Sequence, residues 1–141
     1  MKTGNRVLDV GSGSGWTTAL LGQLVGPKGS VTGVEAVPEL VEFGRANLAS
    51  YAMPWARIEQ ARPDALGWPD EAPFDRILVS AESGAVPGEL LEQLAPNGIM
   101  VLPVAGRLVV VRRPADPAAD PAVERHGYYR FVPLVPPAGA Q

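Results

Sequence analysis

Residues 7–15, Val-Leu-Asp-Val-Gly-Ser-Gly-Ser-Gly, constrain the fold of this chain more than any other stretch. A short apolar β pattern runs into three glycines at alternate positions, and a helical pattern begins at Trp16. Glycines let a backbone turn sharply and pass close to a ligand, and a helix start offers free N–H groups to an anion. A strand, a glycine turn and a helix in this order open an α/β fold. Gly11, Ser12, Gly13 and Gly15 are therefore candidate binding residues.

The same alternation continues along the chain. The pattern predicts strands at 6–10, 31–35, 56–60, 74–80 and 99–104. It predicts helices at 16–25, from Pro38 onward, and at 87–94. On the first helix Leu20, Leu21, Leu24 and Val25 are assigned to one apolar face, and Gly26-Pro27 ends it. On the second, Pro38 sits at the start, and Leu40, Val41, Gly44, Leu48 and Tyr51 follow helical spacing. Residues 62–73 read as a Pro/Gly-rich loop. Ala105-Gly106 is too short a link for a crossover helix, so the runs at 99–104 and 108–112 should form an antiparallel hairpin. A loop at 114–121 precedes a last strand at 128–133. The expectation is one domain over 1–135 with a tail at 136–141. Its fold class is α/β: a mainly parallel sheet flanked by helices, ending in an antiparallel hairpin.

Two acids stand where a nucleoside cofactor needs them. Asp9 lies two residues before the first glycine. Glu35 ends the second strand, where a carboxylate can accept hydrogen bonds from both ribose hydroxyls. Ala36 follows it. A dinucleotide site asks for a third glycine where this chain has the bulky Trp16. The G-x-G-x-G form with Asp9 matches the methyltransferase variant instead.

Longer stretches carry a specific resemblance. Residues 6–21 (R-V-L-D-V-G-S-G-S-G-W-T-T-A-L-L), L-G-W-P-D-E-A-P-F-D-R-I-L-V-S-A at 66–81, L-L-E-Q-L-A-P-N-G at 90–98 and R-F-V-P-L-V at 130–135 resemble the protein-L-isoaspartate O-methyltransferase family. The resemblance implies a Rossmann-like class I methyltransferase fold and S-adenosyl-L-methionine as cofactor. It implies methyl transfer to the carboxylate of isoaspartyl residues in damaged proteins or peptides, a repair reaction. Gly11, Ser12, Gly13 and Gly15 would line the methionine end of the cofactor, Asp9 would orient the loop, Glu35 would hold the ribose, and Ala36 would lie beside the adenine. A carboxylate is already ionised at pH 7, so no catalytic base is assigned. Positioning in line and exclusion of water are the tasks left to the protein.

The chain departs from the family pattern in three places. The family carries a helical region before the first strand, with a Thr/Ser motif that helps form the substrate site. This chain starts a few residues before that strand, which reads as a fragment, a short natural form, or a protein whose partner supplies the missing wall. The bare apolar surface that would follow predicts self-association into a homo-oligomer. Pro63 stands where the family has an Asp, leaving Asp64, one place later, as the candidate for the adenine amino group. Glu82 replaces a small residue after the fourth strand, where an inward carboxylate would repel an anionic substrate.

Composition narrows the alternatives. No cysteine is present, which removes disulfides, thiolate metal sites and thiol nucleophiles, and a single His leaves no all-His metal site. The net charge is −3, and Arg112-Arg113 is the one adjacent basic pair, so no electrostatic grip on nucleic acid is expected. Residues 98–111 are broken by Pro103, Gly106 and Arg107, too interrupted to span a membrane. The expected location is the cytoplasm. The rival readings are a methyltransferase for another protein or small molecule, a cofactor-binding module inactive alone, and a nicotinamide oxidoreductase. Trp16 is expected to pack under the glycine loop, Trp55 and Trp68 to serve as core or loop anchors, and His126 to be a surface or strand-end residue.

Overall fold

The computed structural model describes residues 1–128 and 130–137. One seven-stranded sheet has the order β3-β2-β1-β4-β5-β6-β7. The strands are β1 (Arg6–Val10), β2 (Ser30–Glu35), β3 (Ala56–Gln60), β4 (Phe74–Val79), β5 (Leu94–Val104), β6 (Arg107–Arg112) and β7 (Ala122–Tyr128). The helices are α1 (Trp16–Val25), α2 (Pro38–Leu48) and α3 (Gly88–Glu92). The first five strands are parallel to their neighbours, and the β5–β6 and β6–β7 pairs are antiparallel. The expected hairpin is present, turning on Ala105-Gly106 with both residues at positive φ.

Each face of the sheet has its own core. On one, Val7, Val31 and Ile58 are buried with Ala19, Leu21 and Val25 of α1 and Val41 and Leu48 of α2. On the other, Leu8, Ile77, Met100 and Val109 are buried with Leu90 of α3, and Leu66, Trp68 and Leu134 pack against them. A fully buried Leu or Ile contributes about 1.5–3 kcal/mol through the hydrophobic effect.

Several elements differ from expectation. On α1, Leu21 and Val25 are buried, but Leu20 is 45% and Leu24 56% exposed. This helix is apolar most of the way round, so its period leaves the orientation open. The buried stripe is fixed by Thr18, Leu21, Gly22 and Val25, which meet the sheet. Trp16 is 64% exposed rather than tucked under the glycine loop. Gly15 and Gly44 meet there backbone to backbone, and a Cβ on Gly15 would lie 2.8 Å from the Gly44 carbonyl, so no space remains for an indole. Trp55 anchors as expected, donating from Nε1 to the Gly22 carbonyl at 2.8 Å.

The third helix is shorter than 87–94 because the Phe74 N–H takes the Gln93 carbonyl at 2.8 Å, and Leu94 already pairs with Phe74 in the sheet. The last strand is 122–128 rather than 128–133. In the expected span Tyr129 lies outside the described residues, and Pro133, which lacks an N–H, makes only an isolated bridge to Glu82. His126 consequently sits within β7. The end of the expected tail, 138–141, also lies outside the described residues.

Candidate functional site

The site forms where β1, β2 and β3 end and the chain turns away from the sheet. At the end of β1, Gly11 (φ 83°), Gly13 (φ 54°) and Gly15 (φ 84°) hold left-handed conformations that side chains resist. Gly15 caps α1 with no side-chain bond to the first turn. A Cβ on Gly13 would meet nothing within 4 Å, so bare backbone faces open space there.

Asp9 lies beneath this loop with no solvent exposure. Its Oδ2 accepts from the Thr18 hydroxyl at 2.8 Å, while Oδ1, like the Ser12 Oγ, is buried without a hydrogen-bond partner. Burial raises the Asp9 pKa to about 6; the Thr18 bond pulls it down, and the nearby Glu35 charge pushes it up.

Glu35 is 8% exposed at the end of β2. Its Oε1 accepts from the Gly13 N–H at 2.9 Å and its Oε2 from the Val37 N–H at 3.0 Å. One carboxylate therefore ties the glycine loop to the start of α2. Each carboxylate oxygen has a further lone pair to offer a hydroxyl.

A cavity of about 580 Å³ opens against these groups. Gly11, Gly13, Glu35 and Ala36 line it. Ser12 is buried behind the wall, and Gly15 packs on Gly44 behind the loop. Val37, Leu40, Ala61, Pro63 and Leu66 add an apolar slot between the ends of β2 and β3. Asp64 is absent from the wall: its carboxylate faces Arg62 Nε at 3.6 Å and is 72% exposed. Arg62 lines the cavity in its place, its guanidinium held by Asp70 at 2.8 Å and lying 5.8 Å from the centre of the Trp68 ring.

Sequence reasoning missed the far wall. Residues 132–137 cross over the cavity and line it. This strap is fastened to Glu82: the Glu82 N–H donates to the Val132 carbonyl at 2.6 Å, and the Leu134 N–H donates to the Glu82 carbonyl at 2.7 Å. The Glu82 carboxylate is turned to the hairpin, where it accepts from the Gly106 N–H. Its charge is thus spent on the β5–β6 turn rather than in the cavity. The R-F-V-P-L stretch carried a signal, since a proline among β-formers marks chain that runs beside a sheet without joining it.

The residues present fit an S-adenosyl nucleoside. The cavity has the size of a cofactor site, its apolar slot suits a purine, and Glu35 suits a ribose. The glycine loop gives a backbone wall, with the Asp9 charge beneath it.

The family model for protein-L-isoaspartate(D-aspartate) O-methyltransferase (PCMT) matches residues 1–138. A protein-L-isoaspartate O-methyltransferase of Methanopyrus kandleri is 42% identical over 99% of this chain and 63% of its own length. One from Anaeromyxobacter dehalogenans strain 2CP-C is 48% identical over 96% of this chain and 66% of its own length. The chain thus spans about two thirds of the length of these relatives. Among solved structures, a protein-L-isoaspartate O-methyltransferase superposes with a TM-score of 0.86 at 22% identity, over 98% of this chain and 44% of the other, a likeness of fold. A Plasmodium falciparum protein-L-isoaspartate O-methyltransferase in complex with S-adenosyl-L-homocysteine superposes with a TM-score of 0.79 at 26% identity, over 95% of this chain and 67% of the other. The fold is that of the class I S-adenosylmethionine-dependent methyltransferases, and the chain belongs to the protein-L-isoaspartate(D-aspartate) O-methyltransferase family.

Proposed function

We propose that this chain binds S-adenosyl-L-methionine in the cavity and directs methyl transfer to the α-carboxylate of isoaspartyl residues in proteins or peptides. The observation that carries the reading is the Glu35 carboxylate on the cavity wall, 2.9 Å from the Gly13 N–H of the glycine loop. When bound, the cofactor supplies an electrophilic methyl group on a sulfonium. Glu35 holds the ribose, Ala36 and Leu40 flank the base, and Gly11 and Gly13 present backbone to the methionine end. Asp9 and Ser12 support that loop from below. Asp64, turned outward, is assigned the rim of the base end rather than a contact with it. The strap at 132–137 excludes water from the methyl path. The acceptor is already an anion at neutral pH, so no residue is assigned as base. The substrate is an isoaspartyl peptide, not nucleic acid, and the reaction is placed in the cytoplasm. No helix among the described residues is long and apolar enough to cross a membrane.

Tritiated methyl transfer from S-adenosylmethionine to an isoaspartyl peptide, with the aspartyl isomer as control, tests this reading. Base-labile label on the isoaspartyl form alone is expected; label on both peptides, or on neither, refutes the substrate assignment. A second reading is favoured by the chain spanning only 63–66% of the two relatives. In it, the chain is a cofactor-binding module that transfers methyl groups only with a partner. Tight cofactor binding without transfer distinguishes it.

A further inference from the structure

The chain has ten arginines. Four hold ion pairs with carboxylates, and three donate to backbone carbonyls. The side chains of Arg107, Arg125 and Arg130 do neither among the described residues. The sheet brings these three together. Val109 is buried in the core on the α3 face, and Arg107, two residues earlier on β6, shares that face. Arg125 stands opposite Val109 on β7, on the same face and diagonal to Arg107. The register then shifts, so Tyr128 lies opposite Arg107, whose guanidinium carbon is 5.2 Å from the ring centre. Tyr128 is 82% exposed, and the exposed Arg130 comes two residues before the strap at 132–137. Glu82 fixes this corner against the cavity, because its carboxylate holds the Gly106 N–H beside Arg107 while its backbone holds Val132 and Leu134.

The corner lacks counter-charge. A donor shut away from water without a partner costs stability, and the Arg107 Nε is in that state. Like charges on neighbouring strands also repel. Glu124 stands opposite Val110, hence on the other face, where it pairs with Arg112 at 3.5 Å. The Glu82 carboxylate is engaged with backbone. An excess of positive charge therefore collects here in a chain whose net charge is −3. A guanidinium presents its donors as a fork that fits a carboxylate. Arg112 and Arg113 lie at the opposite end of β6, so the patch does not lengthen into the basic track that a nucleic-acid backbone needs.

Building on the reading that the cavity methylates isoaspartyl peptides, we propose that Arg107, Arg125 and Arg130 form a docking patch for acidic side chains that flank the isoaspartyl residue. Preferred substrates are then isoaspartyl sites in acidic sequence. The spacing follows from the strap. Arg130 lies two residues outside the first strap residue on the cavity wall, about 7 Å of extended chain. An extended peptide with its isoaspartyl residue at the cavity therefore brings the second or third residue from it to the patch.

The test compares two isoaspartyl peptides of equal length that differ only in carrying Glu or Gln at the second and third residues on each side. Binding of each to the chain saturated with S-adenosylhomocysteine is measured by calorimetry, and methyl transfer with tritiated S-adenosylmethionine. The Glu peptide is expected to bind about fivefold tighter and to show a KM lower by the same factor with kcat unchanged, the gap narrowing as salt is raised. Arg125→Glu, at an exposed position, and separately Arg107→Gln should each close most of the gap while S-adenosylhomocysteine affinity stays as in the wild type. Equal binding of the two peptides, or a gap that survives both substitutions, overturns the proposal. So does a single-stranded RNA that binds tighter than the Glu peptide and depends on the same arginines. Transfer to both peptides at one KM sinks the patch and keeps the assigned activity; arginine-dependent binding of the Glu peptide without transfer does the reverse.

Discussion

The Gly13 N–H donates to Glu35 Oε1 at 2.9 Å, so a residue at the end of β2 holds the shape of the loop after β1. The other oxygen takes the Val37 N–H at 3.0 Å. Hydrogen bonds to a charged group contribute about 1.5–3 kcal/mol each. Glu35→Ala should weaken S-adenosylhomocysteine binding at least about tenfold by calorimetry and lower folding stability by about 2 kcal/mol in urea titration. Glu35→Gln keeps one acceptor and should fall between. An affinity unchanged in the Ala variant would refute the ribose role.

Asp9 makes stability depend on pH in a defined direction. Its folded pKa of about 6 lies above the ordinary carboxylate value, so the folded state binds more protons than the unfolded state between about pH 4 and 6. Stability from this group is therefore fully present below pH 4 and lost as pH rises through 6, a change of roughly 3 kcal/mol. Subtracting the stability of Asp9→Asn from that of the wild type, measured by denaturant titration across pH 4–7, should reveal this falling curve. A flat difference would place the Asp9 carboxyl in a wetter setting than its burial implies.

Gly13 and Gly15 share a left-handed backbone but differ in surroundings. A Cβ on Gly15 would press on the Gly44 carbonyl at 2.8 Å, while one on Gly13 meets open space. Gly15→Ala should destabilise by about 3 kcal/mol, combining backbone strain with overpacking. Gly13→Ala should cost about 1–2 kcal/mol of strain yet impair cofactor binding more than its stability loss implies. Equal stability losses in thermal unfolding would contradict this separation.

Glu82 offers a test of the strap. Its carboxylate holds the Gly106 N–H, and its backbone holds Val132 and Leu134. Glu82→Ala should free the 132–137 segment, speed tryptic cleavage after the exposed Arg130, and raise the dissociation constant of S-adenosylhomocysteine several-fold. Cleavage at the wild-type rate would show that the backbone ties suffice.

Much of the fold was legible because few sequences satisfy its turns. The glycine spacing of 11–15, the acid at Glu35 and the two-residue link at Ala105-Gly106 each demand a particular backbone path, and each appears as read. What escaped was decided by tertiary contact. Leu20 and Leu21 are equally apolar, and only the sheet beneath α1 distinguishes them. Residues 122–127 include Glu124, Arg125 and His126, a polar run to which the pattern assigns no strand, yet β6 pairs with it along the outer edge. The more β-like Phe131-Val132 runs into Pro133, which lacks an N–H to donate, and Val132 joins the cavity wall instead of a strand. Asp64 was a candidate by spacing; the Arg62 guanidinium beside it, held also by Asp70 and Trp68, shows which side chain of the loop the cavity keeps.

The cavity wall reaches from Val10 to Pro137, almost from one end of the chain to the other. β1, the glycine loop and Glu35 are close together in sequence and can fold as a unit with the helix between them. The binding chamber nevertheless lacks a side until the closing prolines have been added. Ligand binding thus reports on the strap as much as on the glycine loop: a chain cut after β7 would keep its sheet and that loop and present an open trough in place of a chamber.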